Sequence, residues 1–460
     1  MKIGILGSGA SAYGALLSVL NVKKKIEITI ISKDVNYQNK IFINKKIKNI
    51  SYEMRDNFGV NLNKININNS KNFLLNYTKG GGLSDFWSGA IAVPLKSDLK
   101  RWNMHNINFN KYYEILKKNI PISGEKKIHK KFTNPSEYIN SPEIKMSSVC
   151  EKIKNTTIFK KNLQIFTNAV AVNTNKKGNL CTNCTDCFKG CSEDAIFRPS
   201  KYIDNLIKKN KINYINGRIK KISKDSKVKV FVGNKFYKYD KIFICLGAIN
   251  TAKLIINSFG ISEEAIEIYD IPTQIFPTLI LPDKKLKKNY YGFSNLRLEF
   301  FKNKDHFFSL IGQIPKSFFI KNFKIKFISN FIYRLSQYFI SYILVYGSYK
   351  DYISYTLDNS LNFKIKKEVL SLNYIIEELK KVVLKKKFFI INFFISKIQT
   401  SSHYSSNIFR AYKKESASGM FLRDIYICDS SVLNAPSSSS PHTFFLMANA
   451  YRISEKALEK

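Results

Sequence analysis

The chain has 460 residues, 44% hydrophobic and 14% aromatic, with 75 Lys and Arg against 34 Asp and Glu, a formal net charge of +41. Such a length suggests two or three domains with real cores, which excludes a single small domain and global disorder. The charge first suggests nucleic acid or an anionic membrane, but it is spread along the chain, with a net +9 over residues 1 to 100 alone, so a nucleic-acid footprint clustered on one face is not expected.

In chain order, Lys2 to Leu6 reads as a short buried strand, Gly7, Gly9 and Ala12 fill the small positions of G-x-G-x-x-G/A, and Tyr13 to Val22 continues as a helix. A strand over Ile26 to Ile31 follows a lysine-rich turn. This is the start of a βαβ unit. The first Gly makes the tight turn, the second lets a pyrophosphate approach the backbone, and the third position permits close strand–helix packing beside the positive end of the helix dipole. The same twenty residues have the single Lys and apolar stretch of a secretory signal, yet their glycines sit between strand and helix as a phosphate site requires. An acid usually ends the second strand to hold a ribose hydroxyl. Here Ser32 stands at that place, with Asp34 two residues on.

Three later segments narrow the reading. GGGLSDFWSGA, Gly80 to Ala90, holds a glycine triplet followed by Leu83, Ser84 and Trp87. Between Tyr214 and Leu254 a strand reaches Gly217, Arg218 and Ile219, a hairpin intervenes, and a buried strand Lys241 to Cys245 ends at Gly247 and Ala248. The run DIYICDSSVLNAPSSSSPHTFFLMANAYRIS, Asp424 to Ser454, closes the chain with a strand, Asp429, a loop, His442, Thr443 and a helix.

Together these segments resemble the flavoproteins of the glucose-methanol-choline oxidoreductase family over residues 1 to 35, 78 to 94, 210 to 256 and 400 to 455. The resemblance implies an α/β fold, α+β overall, in which a Rossmann-type FAD-binding domain carries an inserted antiparallel-sheet substrate domain. The expected division gives residues 1–100, 146–269 and 398–460 to the FAD-binding domain, 101–145 to a helical cap and 270–397 to the substrate domain. There the alternating runs NLRLEFF, HFFSLIGQI and YISYTLD read as strands. The resemblance further implies that Gly81, Gly82, Ser84 and Trp87 run along the flavin, that the backbone at Ile219 meets adenine, that Gly247 and Ala248 close the nucleotide domain, and that Asp429 faces the ribityl or phosphate part. His442 and Thr443 would lie over the flavin ring, and His403 would occupy the place of the second active-site histidine, although the Gly-rich residues that usually follow it are missing.

Oxidation of an alcohol requires a hydride acceptor and a base for the hydroxyl proton, and histidine titrates in the right range. Two of the five histidines, His403 and His442, fall on the two implied positions. The expected activity is therefore FAD-dependent oxidation of a CH–OH group, of a sugar or lipid-linked alcohol or another small alcohol. The alternatives are a reductase running the electron flow backward and a non-enzymatic basic binding protein on an old flavin fold.

Seven cysteines are too few for a disulfide scaffold at this length. Cys181, Cys184, Cys187 and Cys191 form C-x2-C-x2-C-x3-C within an insertion spanning 178–198. That spacing matches the bacterial ferredoxin run for a 4Fe-4S cluster, with zinc or a metal-free remnant as alternatives. Ser192 replaces the customary Pro, no second run exists, and Cys150 is the remote ligand candidate, while Cys245 and Cys428 read as core thiols. A cluster would favour a protein or quinone as electron acceptor, and clustered thiols point to a reducing, cytoplasmic location. No run reaches the ~18 apolar residues of a spanning helix. The aromatic, basic stretch Lys316 to Tyr349, with its uncharged end Leu335 to Tyr349, reads either as a membrane-surface element or as core strands and a helix.

Overall fold

The computed structural model describes residues 1–35, 63–66, 73–126, 132–156, 163–175, 178–182, 191, 193–260, 262, 264–280, 296–302, 305–313, 340–358, 360–383, 388–390, 395–396, 398–436 and 442–459. Its first layer is a six-stranded sheet built on β1 (Lys2–Leu6), in the order β20 (Met420–Leu422), β21 (Ile425–Ile427), β10 (Lys241–Ile244), β1, β2 (Glu27–Ser32), β6 (Asn213–Asn216). All pairs are parallel except β20 with β21. Buried on both faces, β1 reads as the continuous apolar run Ile3 to Leu6, interrupted only by Gly4, as a strand covered on both sides must. Helix α1 (Ala10–Leu20) packs against the closing helix α9 (Thr443–Glu459) so closely that a Cβ on Gly14 would stand 2.0 Å from the Met447 carbonyl oxygen. Ala12 is fully buried in the same core.

The expected hairpin after Ile219 is instead a three-stranded meander of β7 (Ile219–Lys224), β8 (Val228–Val232) and β9 (Lys235–Tyr239). Its middle strand β8 pairs on both sides and turns Val228, Val230 and Val232, which alternate along it, into the first core.

The second layer is a six-stranded antiparallel sheet in the order β18 (Phe388–Ile390), β12 (Thr273–Ile280), β15 (Ile340–Tyr346), β14 (Asp305–Gln313), β13 (Leu296–Lys302), β5 (Leu163–Thr167). The strands expected from NLRLEFF and HFFSLIGQI are its β13 and β14. One face, with Leu298, Phe300, Ile311, Ile343 and Val345, shares a core with Val149, Cys150 and Ile153 of α4 (Ser148–Thr156) and Ile375, Ile376 and Leu379 of α7 (Asn373–Val383).

Three boundaries differ from expectation. Residues 146–167 belong to this second layer, because β5 pairs along β13 and α4 roofs the sheet, although nothing in the local pattern of LQIFT names its partner. The smaller sheet β17 (Phe363–Lys367), β16 (Ile353–Leu357), β11 (Ile266–Asp270), β19 (Ser405–Ser406) packs Tyr355 and Phe363 into the nucleotide-side core, although two of its strands lie within 270–397. The described residues of 101–145, the expected cap, pack against the nucleotide-side core. Their described helix α3 (Asn110–Lys117) follows α2 (Lys96–Arg101), and Trp102, Phe109, Tyr112 and Tyr113 are buried in that same core against α9.

A hairpin of β3 (Asn63–Asn66) and β4 (Phe73–Asn76), together with α5 (Pro199–Lys208), α6 (Ala248–Phe259) and α8 (Ile408–Ala411), completes the described elements. Of the uncharged run Leu335 to Tyr349, Ile340–Tyr346 is a strand paired on both sides rather than a surface helix. Residues 316–339 of the basic aromatic stretch lie outside the described residues. Among the described residues no helix is long and apolar enough to cross a membrane.

Candidate active site

Gly7 leaves β1 with φ +113°, and a Cβ there would meet the Cys245 carbonyl oxygen at 2.4 Å, so only glycine makes this turn. Gly9 is the N-cap of α1, and no side chain caps that helix. Its first-turn N–H groups are left for an external acceptor at the positive end of the dipole. Ser32, at the end of β2, is buried, and its hydroxyl lies 2.7 Å from that of Ser8, which also donates to the Gly80 carbonyl. Ser32 thus ties the glycine turn to β2. Asp34, at φ +51°, is held by Asn216: its N–H donates to Oδ1 at 3.0 Å and its Oδ1 accepts from Nδ2 at 3.2 Å, with Lys79 3.5 Å from the other oxygen.

The glycine triplet folds around a carboxylate that sequence reasoning missed. Asp85 is buried and accepts from the Gly81 N–H at 2.6 Å and the Ser200 hydroxyl at 2.5 Å. A Cβ on Gly80 or Gly81 would stand 2.5 or 2.4 Å from its oxygens. Burial pushes the Asp85 carboxyl up to about 6, against the lowering effect of Ser200, Gly81 and Arg198. Gly82 has φ +62°, the Ser84 hydroxyl donates to the Gly81 carbonyl at 2.7 Å, and the Trp87 indole donates to the Phe197 carbonyl at 2.8 Å. An acid four residues after a glycine was the one signal for Asp85, and it has no meaning until the loop closes on it.

At the end of β10, Gly247 has φ +78° and a Cβ on it would meet open space, while Ala248 begins α6. Asp429 is buried, and its carboxylate accepts from Ser431 N–H at 3.0 Å, Gly247 N–H at 2.9 Å and the Thr251 hydroxyl at 2.5 Å. Burial raises its pKa, opposed by these donors. The carboxylate thereby joins the ends of β10 and β21. Ile219 opens β7, half-buried.

His403 and His442 come together. Their ring centroids are 5.7 Å apart at 69°. His442 is buried, its carbonyl accepts the Leu446 N–H as α9 begins at Thr443, and Trp102 meets its ring edge-on at 6.4 Å. The His403 N–H donates to Ser401 Oγ at 3.1 Å, and Ser401 donates to the buried Asp270 at 2.8 Å. The Ala435 carbonyl accepts from both Ser405 Oγ and Trp102 Nε1, at 3.1 and 3.3 Å, which anchors the His403 segment and Trp102 on the chain leading to His442. Trp102, Ser401 and Asp270 carried no signal in the sequence, because their roles depend on contacts between distant segments.

The cysteines are partly visible. Cys181 and the buried Cys191 pack with Val170, Val172, Ala195 and Ile196, and Trp87 lies against this cluster. Cys184 and Cys187 lie outside the described residues, and among the described residues no group of three or more His, Cys, Asp or Glu could hold a metal. Cys150 belongs to the other core, under the antiparallel sheet, apart from the cluster of Cys181 and Cys191, and burial pushes its thiol up to about 12. Cys245 and Cys428 are buried in the first core, as expected of core thiols.

No protein-family model matches the chain, and no curated protein sequence matches it. Among solved structures, it is similar to pyridoxine 4-oxidase from Mesorbium loti, with a TM-score of 0.63 at 8% identity, over 100% of this chain and 99% of that one. At that identity the likeness is one of fold.

Proposed function

We propose that the chain is an FAD-dependent oxidoreductase of the glucose-methanol-choline type that oxidises a small-molecule alcohol. The observation that carries this reading is the meeting of His403 and His442, from segments on either side of β20 and β21, at a 5.7 Å ring separation. The full-length likeness to pyridoxine 4-oxidase supports it.

The residues fit the cofactor. The Gly7–Gly9 turn and the uncapped start of α1 would hold a pyrophosphate, with Ala12 allowing the close approach behind it. Asp34 is the nearest acid to the end of β2 and would take a ribose hydroxyl, with Ser32, whose hydroxyl lies 2.7 Å from that of Ser8, beside it. Gly81, Gly82, Ser84 and Trp87 would line the flavin on a loop braced by Asp85, with Ile219 toward adenine and Gly247, Ala248 and Thr443 on the remaining side. Asp429 would act through Gly247, which it fixes. Bound FAD supplies the hydride acceptor.

The chain's own residues handle the proton. One imidazole of the pair accepts the hydroxyl proton at a ring nitrogen while the other donates to the developing alkoxide. Trp102, edge-on to His442 at 6.4 Å, and Tyr346, 6.3 Å from His403, hold the two rings in place.

The run Cys181, Cys184, Cys187, Cys191 is read as a 4Fe-4S site, with zinc as the alternative; its spacing supports this. A protein or quinone would then accept the electrons. Iron and acid-labile sulfide at one cluster per chain after anaerobic preparation are expected, and zinc alone, or no metal, would reject the cluster. The function itself is tested by the absorption spectrum of the purified, FAD-supplemented protein. A bound-flavin band that bleaches with alcohol under anaerobic conditions supports it, and a protein that takes up no flavin contradicts it.

A further inference from the structure

The face of the antiparallel sheet turned away from α4 and α7 carries three ionisable side chains that the proposed reaction does not use. Arg297 and Glu299 alternate on β13, and His306 stands on β14 opposite Phe301. All three are buried. Glu299 accepts from Arg297 Nε, from His306 Nε2 at 2.8 Å, and from the Thr133 N–H at 3.0 Å as well as its hydroxyl. Burial alone would raise the Glu299 carboxyl, but Arg297, His306 and Thr133 outweigh it and hold it at about 2. A second guanidinium nitrogen of Arg297 donates to the Thr133 hydroxyl.

These bonds fix the plane of the guanidinium, which lies 4.6 Å over the Phe308 ring. Phe308 in turn stacks on Tyr346 at 4.2 Å and 20°. The Tyr346 ring is 6.3 Å from His403, whose partner is His442. Cation, two rings and an imidazole form an unbroken row from the buried carboxylate to the histidine pair. An apolar core would fill the same space without desolvating three ionisable groups. What the charged version adds is a fixed orientation at the head of the row.

We propose that Arg297, Glu299 and His306 are a positioning network for His403, acting through the Phe308–Tyr346 stack. This rests on the histidine pair handling the proton. None of the three touches substrate in this reading; they set where His403 stands.

The test reads His403 itself, by NMR of ring-labelled histidine in the full chain, together with anaerobic flavin reduction. Glu299→Gln keeps the shape and removes the charge; Tyr346→Leu removes the relay ring and Tyr346→Phe keeps it. Glu299→Gln and Tyr346→Leu are expected to move the His403 ring resonance, and Tyr346→Phe to leave it at the wild-type position. The rate constant for flavin reduction should fall about 10- to 100-fold in the first two, with the apparent substrate affinity changed less than about twofold, since a misplaced base slows the step without loosening binding. Should Glu299→Gln fail to fold, Phe308→Leu, which breaks the row one ring away from His403, takes its place, since Tyr346→Leu also removes a ring current beside His403. A His403 resonance that stays at the wild-type position in Glu299→Gln or, failing that, in Phe308→Leu overturns the network even if turnover slows. Because the resonance is read without substrate, it judges the network also where the wild-type protein reduces no flavin, a result that would overturn the functional reading instead.

Discussion

The rings of His403 and His442 lie 5.7 Å apart, centroid to centroid, and 69° from coplanar. Two imidazoles at that separation can address the same hydroxyl from different sides. Residues acting on one proton are not independent. Replacing either by Ala is expected to slow flavin reduction by about 10²- to 10⁴-fold, the usual worth of a positioned acid or base. The double replacement should cost far less than the product of the two. A double-mutant cycle on the anaerobic reduction rate checks this, and additive losses would mean that the two histidines serve separate steps.

The contact of Gly14 with Met447 predicts a stability effect remote from chemistry. The Cβ of Gly14→Ala would fall 2.0 Å from a backbone carbonyl oxygen, which cannot rotate away as a side chain could. Helices α1 and α9 must part. The loss expected in chemical denaturation is about 1–3 kcal/mol, whereas Gly233→Ala, where a Cβ meets nothing within 4 Å, should show only the cost of its positive φ.

Asp85 gives a pH dependence of definite sign. Its folded pKa is raised, from 3.8 to about 6, so the folded chain holds this proton more tightly than the unfolded one. The contribution is present below the unfolded pKa and is lost as the pH rises through about 6. Relative to Asp85→Asn, the wild type should gain on the order of 2–3 kcal/mol of stability between pH 7 and pH 4. Denaturant titrations of both proteins at the two pH values measure it, and a gap that stays constant would contradict the burial argument.

Glu299 has the opposite sign. Its folded pKa is held at about 2, below the usual 4.5, so its contribution is present above the unfolded value and is lost as the pH falls toward 2. Glu299→Gln leaves Arg297 without its buried counter-charge and should destabilise the protein at pH 7 by about 3 kcal/mol. The difference should shrink below about pH 4. Thermal or denaturant unfolding of wild type and variant across that window decides it.

What the sequence made legible were features whose meaning is local. Gly7 and Gly9 after a buried strand announce the first βαβ unit, and the alternation in β13 and β14 announces the antiparallel sheet, because period and turn chemistry are written in adjacent residues. The histidine pair was legible through the motifs around His442 and His403. Asp85, Trp102, Tyr346 and the Arg297–Glu299–His306 cluster were not, since each acquires its role from a partner distant in the chain. The same reason hid the place of β5, whose pairing strand β13 follows more than a hundred residues later. For Asp429 the sequence carried the position but not the bracing, since its donors Gly247, Thr251 and Ser431 include two that lie nearly two hundred residues away.

Anaerobic mixing of the FAD-loaded protein with a panel of alcohols, wild type beside His442→Ala, bears most directly on the reading of the histidine pair as the base of an FAD-dependent alcohol oxidation. The expected result is that at least one alcohol bleaches the oxidised-flavin band of the wild type, while the variant binds FAD equally well and bleaches at least about 100-fold more slowly. Equal bleaching rates in the two proteins would contradict it.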